Sequence, residues 1–244
     1  MSEFSHHEPC EQCGSKNNVG VWKDGHKYCF GCQWKLNTRK LSIKDLKQQL
    51  AYQEKQKDNK YANLNLPDDF SYNIPPEPLA WLKKYQLTDQ EIYQHRFGWS
   101  QQRETLIYPA FDITGNLLLY QGRSFASSGI TLGKYDSRGQ MDSVDCLFGT
   151  DSHNIVAVED VVSAIKVSRL LTSICLFGST LSINRIRRLS DRFKNLVIWL
   201  DHDKQRYALQ ARFRALPYFD SVRVIVTDRD PKEYRTDEIR HITS

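Results

Sequence analysis

Ile155-Val156-Ala157-Val158-Glu159-Asp160 and Leu196-Val197-Ile198-Trp199-Leu200-Asp201-His202-Asp203 are the two stretches on which the reading of this chain turns. Each is a short, unbroken apolar run that ends on carboxylates. A run too short for a helix and apolar at every position suits a strand buried on both faces, as parallel strands are. Ser173 to Phe177 and Val222 to Val226 are two further short, mainly apolar runs, the second followed by Asp228 and Asp230. Segments with helical spacing separate the four: Val161 to Leu171, Ile183 through Phe193, and Tyr207 to Leu216. The alternation predicts an α/β domain whose parallel sheet is flanked by helices on both faces, over residues 151–244.

Upstream, residues 66–150 read as a mixed α+β segment. Leu79, Leu82 and Tyr85 predict one helix, and Thr88 with Glu91 predicts a second that begins with a capping box. Two strands, Thr105 to Phe111 and Leu117 to Phe125, are joined at Thr114-Gly115-Asn116. A glycine-rich stretch (Ser128-Gly129, Gly133, Gly139) then leads to Cys146-Leu147-Phe148-Gly149. Residues 41–65 predict a short amphipathic helix from Ser42, with Ile43, Leu46 and Leu50 on one face, and then a charged linker, Gln53 to Lys60.

Residues 1–40 carry Cys10-x-x-Cys13 and Cys29-x-x-Cys32. Each CxxC turns two sulfurs toward one point, and two of them complete a tetrahedral thiolate cage with zinc–sulfur distances of about 2.3 Å. Four thiolates leave no open coordination position, so the spacing predicts structural Zn²⁺. Trp22, Lys23, Asp24, His26, Lys27, Tyr28 and Phe30 lie between the knuckles. Rings that can stack on bases, interleaved with lysines, suit single-stranded nucleic acid. They equally suit a ribbon too small to hide its aromatics. Cys146 and Cys175 fall outside the pattern and read as core residues. Arg185, Arg187, Arg188, Arg192 and Lys194 read as a solvated helix face.

The C-terminal ends of parallel strands share one edge of the sheet, where α/β folds place their ligands. Glu159 and Asp160, Asp201 and Asp203, and Asp228 and Asp230 each follow a strand. Carboxylates crowded there repel unless a cation lies among them, and an all-oxygen donor set selects Mg²⁺ or Mn²⁺. Taken singly, an Asp after a strand also serves as a helix cap.

The whole has a net charge of +5 over 244 residues, compatible with a polyanionic partner. It has no apolar run of the roughly 18 residues that a membrane span needs. Its start, Met1 to His7, lacks the pattern of a secretory signal, so the expected location is cytoplasmic with no membrane partner.

Taken in order, these pieces resemble the primase half of the bifunctional primase-helicases of short-tailed phages and, more distantly, bacterial DnaG primases. Asp24-Gly25-His26-x-x-Cys29-x-x-Cys32 is similar to the family's template-reading ribbon. Val156-Ala157-Val158-Glu159, Trp199 to Asp203, and Asp230-Pro231-Lys232-Glu233 are similar to the three motifs of the TOPRIM domain, with Gly178-Ser179 as a further match. Gln121-Gly122-Arg123 and Leu147-Phe148-Gly149 resemble the basic subdomain of the family's RNA polymerase core. Where the family has a glycine and then an aspartate after the first glutamate, this chain has Asp160 and Ser163.

The resemblance implies a DNA primase, which makes short RNA primers on single-stranded DNA from ribonucleoside triphosphates. It assigns Glu159, Asp201 and Asp203 to the catalytic metal and Asp230 as a further catalytic carboxylate. Arg123 and Lys134 would hold nucleotide phosphates or template backbone, and Trp22, Asp24 and His26 would meet template bases. With no Walker-type phosphate loop in the sequence, a separate helicase is expected. A metal-dependent TOPRIM nuclease and an inactive nucleic-acid-binding remnant are the alternatives. A topoisomerase is disfavoured by the lack of room for a strand-cleaving tyrosine domain.

Overall fold

The structure, a computed structural model, describes residues 3–36, 64–126, 135–139, 141–150 and 153–243. The helix expected from Ser42, the charged linker, Ser128-Gly129, Gly133 and Lys134 lie outside the described residues. The chain divides into two units, Met1–Ala62 and Asn63–Ser244.

In the first unit, β1 (Phe4–Glu8), β2 (Val19–Trp22), β3 (Lys27–Cys29) and β4 (Lys35–Leu36) form an antiparallel sheet in chain order. Its core is Cys10, Val19, Val21 and Cys29, with Trp34 packed alongside. So few apolar groups cannot offset the chain entropy of folding, and two of the four are thiols. A metal on those thiols would supply what the core lacks.

The second unit opens with β5 (Phe70–Ser71), α1 (Pro76–Lys84), α2 (Asp89–Gln94), β6 (Gly98–Ser100), β7 (Thr105–Phe111), β8 (Leu117–Ser124) and β9 (Tyr135–Gly139). The five strands form one antiparallel sheet in chain order. The capping box read at Thr88 is present: Glu91 N–H donates to Thr88 Oγ1 at 3.1 Å and Thr88 N–H to Glu91 Oε2 at 2.8 Å.

There follow β10 (Cys146–Phe148), β11 (Asn154–Val158), α3 (Val161–Ser168), β12 (Ser173–Cys175), α4 (Ile183–Ser190), β13 (Asn195–Ile198), α5 (Gln205–Ala215), β14 (Ser221–Val224) and α6 (Thr236–Thr243). Strands β12, β11, β13 and β14 run parallel, as the apolar runs predict. The sheet nevertheless has the order β10-β12-β11-β13-β14, and β10 joins it antiparallel at the β12 edge. Cys146-Leu147-Phe148, read with the preceding segment, thus belongs to this sheet. A strand of three residues carries too little pattern to show which sheet it will join.

Side chains alternate along each strand and enter two cores. Ile155 and Ala157, like Leu196 and Ile198, face Ile186 and Leu189 of α4 and Ala208, Ala211 and Ala215 of α5. Val156 and Val158, like Val197 and Trp199, face Val162 and Ile165 of α3 and reach Leu82, Trp99, Leu106 and Leu119 of the preceding segment. Burial on both faces is why Ile155 to Val158 and Leu196 to Trp199 are apolar without a break.

Arg169, just past α3, ties the two parts together. Its guanidinium donates to both oxygens of Glu91 at 2.7 and 2.8 Å, to the Gln86 carbonyl at 2.8 Å and to Thr236 Oγ1 at 3.2 Å. The solvated reading of the α4 arginines needs correction at two positions. Arg185 is 1% exposed and donates to the Met141 and Val144 carbonyls. Arg188 forms a two-pronged pair with Asp145 at 2.9 and 2.8 Å. A planar guanidinium can satisfy several carbonyls at once, which lets it anchor a loop that an apolar side chain could not hold. Among the described residues, no helix is long and apolar enough to cross a membrane.

Candidate functional site

The ribbon site is built from two copies of one turn. Gly14 N–H donates to the Cys10 carbonyl at 2.8 Å, and Gln33 N–H to the Cys29 carbonyl at 2.9 Å. Both closing residues take left-handed backbone, with φ of 69° and 63°. The thiol-bearing atoms of Cys10, Cys13, Cys29 and Cys32 all lie within 4.8 Å of one another. The Cys32 N–H points at Cys29 Sγ and brings that thiol down to about 6, while, against the Trp34 N–H, burial and the neighbouring sulfurs push Cys32 up to about 12. Four converging sulfurs fit structural zinc.

On the same unit, Trp22, Asp24 and His26 are drawn together by one tight turn. The Trp22 and His26 rings stack with centroids 4.4 Å apart and planes 12° apart. Asp24 Oδ1 lies 2.5 Å from His26 Nδ1. Gly20 leaves the room: a Cβ there would come within 2.8 Å of the Trp22 ring and 3.0 Å of Phe30.

In the second unit, strand order decides which carboxylates meet. Because β11 and β13 are neighbours, Glu159 and Asp201 emerge side by side, and Asp201 N–H donates to Glu159 Oε1 at 3.2 Å. Because β14 flanks β13, the loop beyond it returns Asp230 to the same edge. Asp228, by contrast, is 87% exposed and accepts from the Tyr234 hydroxyl, outside the cluster. Asp203 is half in solvent and paired with Lys204.

The centre of the cluster is a residue to which the sequence reading gave no role. Lys232 Nζ lies 2.9 Å from Asp230 Oδ2, 3.0 Å from Asp160 Oδ2 and 3.5 Å from Asp201 Oδ2. Asp160 also caps α3 through Ser163 N–H at 2.9 Å. Asp230 Oδ1 receives the N–H and ring nitrogen of His202 at 3.3 and 3.1 Å. Lys232 was visible in Asp230-Pro231-Lys232-Glu233, but nothing local marks a lysine there as buried.

Electrostatics follow from these contacts. Burial, together with the charges of Asp160, Glu159 and Asp230, pushes the Asp201 carboxyl up to about 7 against the pull of Lys232. Glu159 is raised, first by burial, against the Asp201 N–H and Lys204. Asp230 is partly buried, yet hydrogen bonds from Lys232 and His202 bring it down to about 2. Asp201 Oδ1 is buried without a hydrogen-bond partner. An orphaned carboxylate oxygen beside a second raised carboxyl fits a divalent cation as the absent partner. Among the described residues, the four cysteines are the one set of three or more such side chains already close enough to hold an ion.

Arg123 stacks on Trp81, its guanidinium carbon 4.2 Å from the ring centroid, and donates to the Tyr135 hydroxyl at 3.1 Å. Trp81, Tyr135 and Asp160 line the same pocket. Lys134 lies outside the described residues.

No protein-family profile matches the chain. A 35-residue stretch is 46% identical to the DNA helicase/primase of Enterobacteria phage T3, covering 14% of this chain and 6% of that protein. The primase fragment of the bacteriophage T7 primase-helicase protein is 18% identical, with 98% of both chains covered and a TM-score of 0.52. The Aquifex aeolicus primase, comprising zinc-binding and RNA polymerase domains, is 13% identical over 98% of this chain and 79% of that one, with a TM-score of 0.60. A DnaG catalytic core is 15% identical over 80% and 76% of the two chains, with a TM-score of 0.54. At these identities the likeness is one of fold.

Proposed function

We propose that this chain is a DNA primase that makes short RNA primers on single-stranded DNA by metal-dependent nucleotidyl transfer. The observation that carries the reading is Asp201. It is a half-buried carboxyl, raised by that burial, with one buried and orphaned oxygen, beside Glu159 at the ligand-binding edge of the sheet. We assign the ribbon to residues 1–40, the helix and linker to 41–65, the basic subdomain to 66–150 and the TOPRIM domain to 151–244.

Glu159, Asp201 through Oδ1, and Asp203 would hold Mg²⁺ or Mn²⁺. When bound, such an ion lowers the pKa of a nucleotide 3′-hydroxyl and neutralises the departing pyrophosphate. The chain's own groups do the rest. Arg123, fixed on Trp81, offers a guanidinium to a triphosphate. Trp22 and His26 present flat faces to template bases, and Asp24 fixes the His26 ring. The cysteines hold structural zinc. A separate helicase supplies unwound DNA in the cytoplasm of the cell, the host's if the chain is phage-encoded.

The test is incubation with labelled ribonucleotides, Mg²⁺ and a mixed pool of single-stranded DNA. Oligoribonucleotides that disappear with Asp201→Ala support a primase. Degraded DNA supports a nuclease instead, and binding without either product supports a remnant.

A further inference from the structure

We infer that the Lys232 ammonium is a resident cation of the carboxylate cluster: it fills the position between Asp160, Asp201 and Asp230 in the working protein, so that divalent ions are held on the Glu159–Asp201–Asp203 side alone. The inference rests on the reading of these carboxylates as metal ligands and says which of them are free to act as such.

The geometry is that of a completed site. An ammonium has three N–H donors, and here three carboxylates lie within 2.9 to 3.5 Å of it. Lys232 is 6% exposed, although lysine is almost never buried unless paired. The backbone beneath it is locked from two sides. Asp230 N–H donates to Glu233 Oε2 at 3.1 Å and Glu233 N–H to the Asp230 carbonyl at 2.9 Å, closing a turn around Pro231. From within α3, the buried Lys166 donates through Nζ to the Lys232 carbonyl at 2.8 Å. Swinging Lys232 out would leave three carboxylates facing one another with no counter-charge.

The carboxylates around it are also spent. Both oxygens of Asp160 are occupied, Oδ1 by Ser163 N–H and Oδ2 by the Ser163 hydroxyl and Lys232. Asp230 gives Oδ1 to His202 and Oδ2 to Lys232. Asp201 is divided: Oδ2 faces the lysine and Oδ1 has no partner. Asp230, expected as a further catalytic carboxylate, is thereby a positioning residue for Lys232.

Mn²⁺ bound per chain, counted by electron paramagnetic resonance on the full zinc-loaded chain, tests this without reference to primer synthesis. Lys232→Met removes the charge at similar length and should bind one more Mn²⁺ than wild type. Lys232→Met with Asp160→Asn should return to the wild-type count. Equal counts in wild type and Lys232→Met overturn the inference while leaving the metal reading standing. A wild-type chain that binds no Mn²⁺ overturns both. Should Lys232→Met fail to fold, lysine acetylation of the wild type, read by mass spectrometry, decides the matter. Lys232 should stay protected with Mn²⁺ present, and a rise to the reactivity of the exposed Lys84 would make the lysine a displaceable placeholder and refute the proposal.

Discussion

Replacing Asp201 by asparagine should stabilise the protein at pH 8 in the absence of divalent ions, an unusual outcome for a change at a site residue. The cause is the raised carboxyl, at about 7 in the fold against an ordinary 3.8. A group raised on folding contributes stability that is full below its unfolded pKa and lost as pH rises through its folded pKa. The folded protein therefore carries the penalty above pH 7 and is free of it below about pH 4. At about 1.4 kcal/mol per unit, the shift bounds the penalty at about 4 kcal/mol. Asp201 is not wholly enclosed, and solvent screening reduces this to about 1–2 kcal/mol. For a unit of this size that is a rise in melting temperature of about 2–8 °C. Asparagine keeps an acceptor for Lys232 and leaves the backbone bond to Glu159 untouched.

The assay is thermal unfolding of the zinc-loaded chain at pH 4.5 and pH 8, with and without Mg²⁺. Asp201→Asn should gain at pH 8 and little at pH 4.5. Saturating Mg²⁺ should reverse the order, since an ion at 100 times its Kd adds about 2.7 kcal/mol to the chain that binds it. A variant less stable than wild type at pH 8 without Mg²⁺ would refute the reasoning. Asp201 would then be a structural partner of Lys232, and the cluster would need no further cation.

Two predictions concern the ribbon. Removing zinc with a chelator should unfold the first unit and leave the second intact, because structural zinc contributes roughly 10–16 kcal/mol where the core is too small to fold alone. Far-ultraviolet circular dichroism of the excised residues 1–40, with and without zinc, checks this; an unchanged spectrum would contradict it. Trp22→Ala should weaken binding to single-stranded DNA by about 1–3 kcal/mol, the worth of one stacked base. Fluorescence anisotropy at fixed salt measures it, with unchanged zinc content as the control for folding.

Much of the fold is legible locally. Strand Thr105–Phe111 has the limits read from its apolar run and the turn that follows it, and the Thr88–Glu91 capping box needs only its own spacing. The zinc site is legible for the same reason: each knuckle is a single turn, and two turns suffice. Arg185 and Arg188 are misread because a charged helix face looks alike in sequence whether it meets water or a neighbouring loop. Here that loop, around Met141 to Asp145, is over forty residues away along the chain.

By itself, the sequence determined the alternating strands and helices from β11 to β14, the acidic ends of three of the parallel strands and the two cysteine knuckles. Each of these depends on residues a few positions apart, which is the range over which periodicity and turn chemistry act. Tertiary structure decided that β10 would close the sheet antiparallel, that β11 and β13 would lie side by side, and that Lys232 rather than solvent would face Asp160. Those outcomes depend on strand order and the path of the loop beyond β14. They are set by how two cores pack against a shared sheet, a property no short window of residues carries.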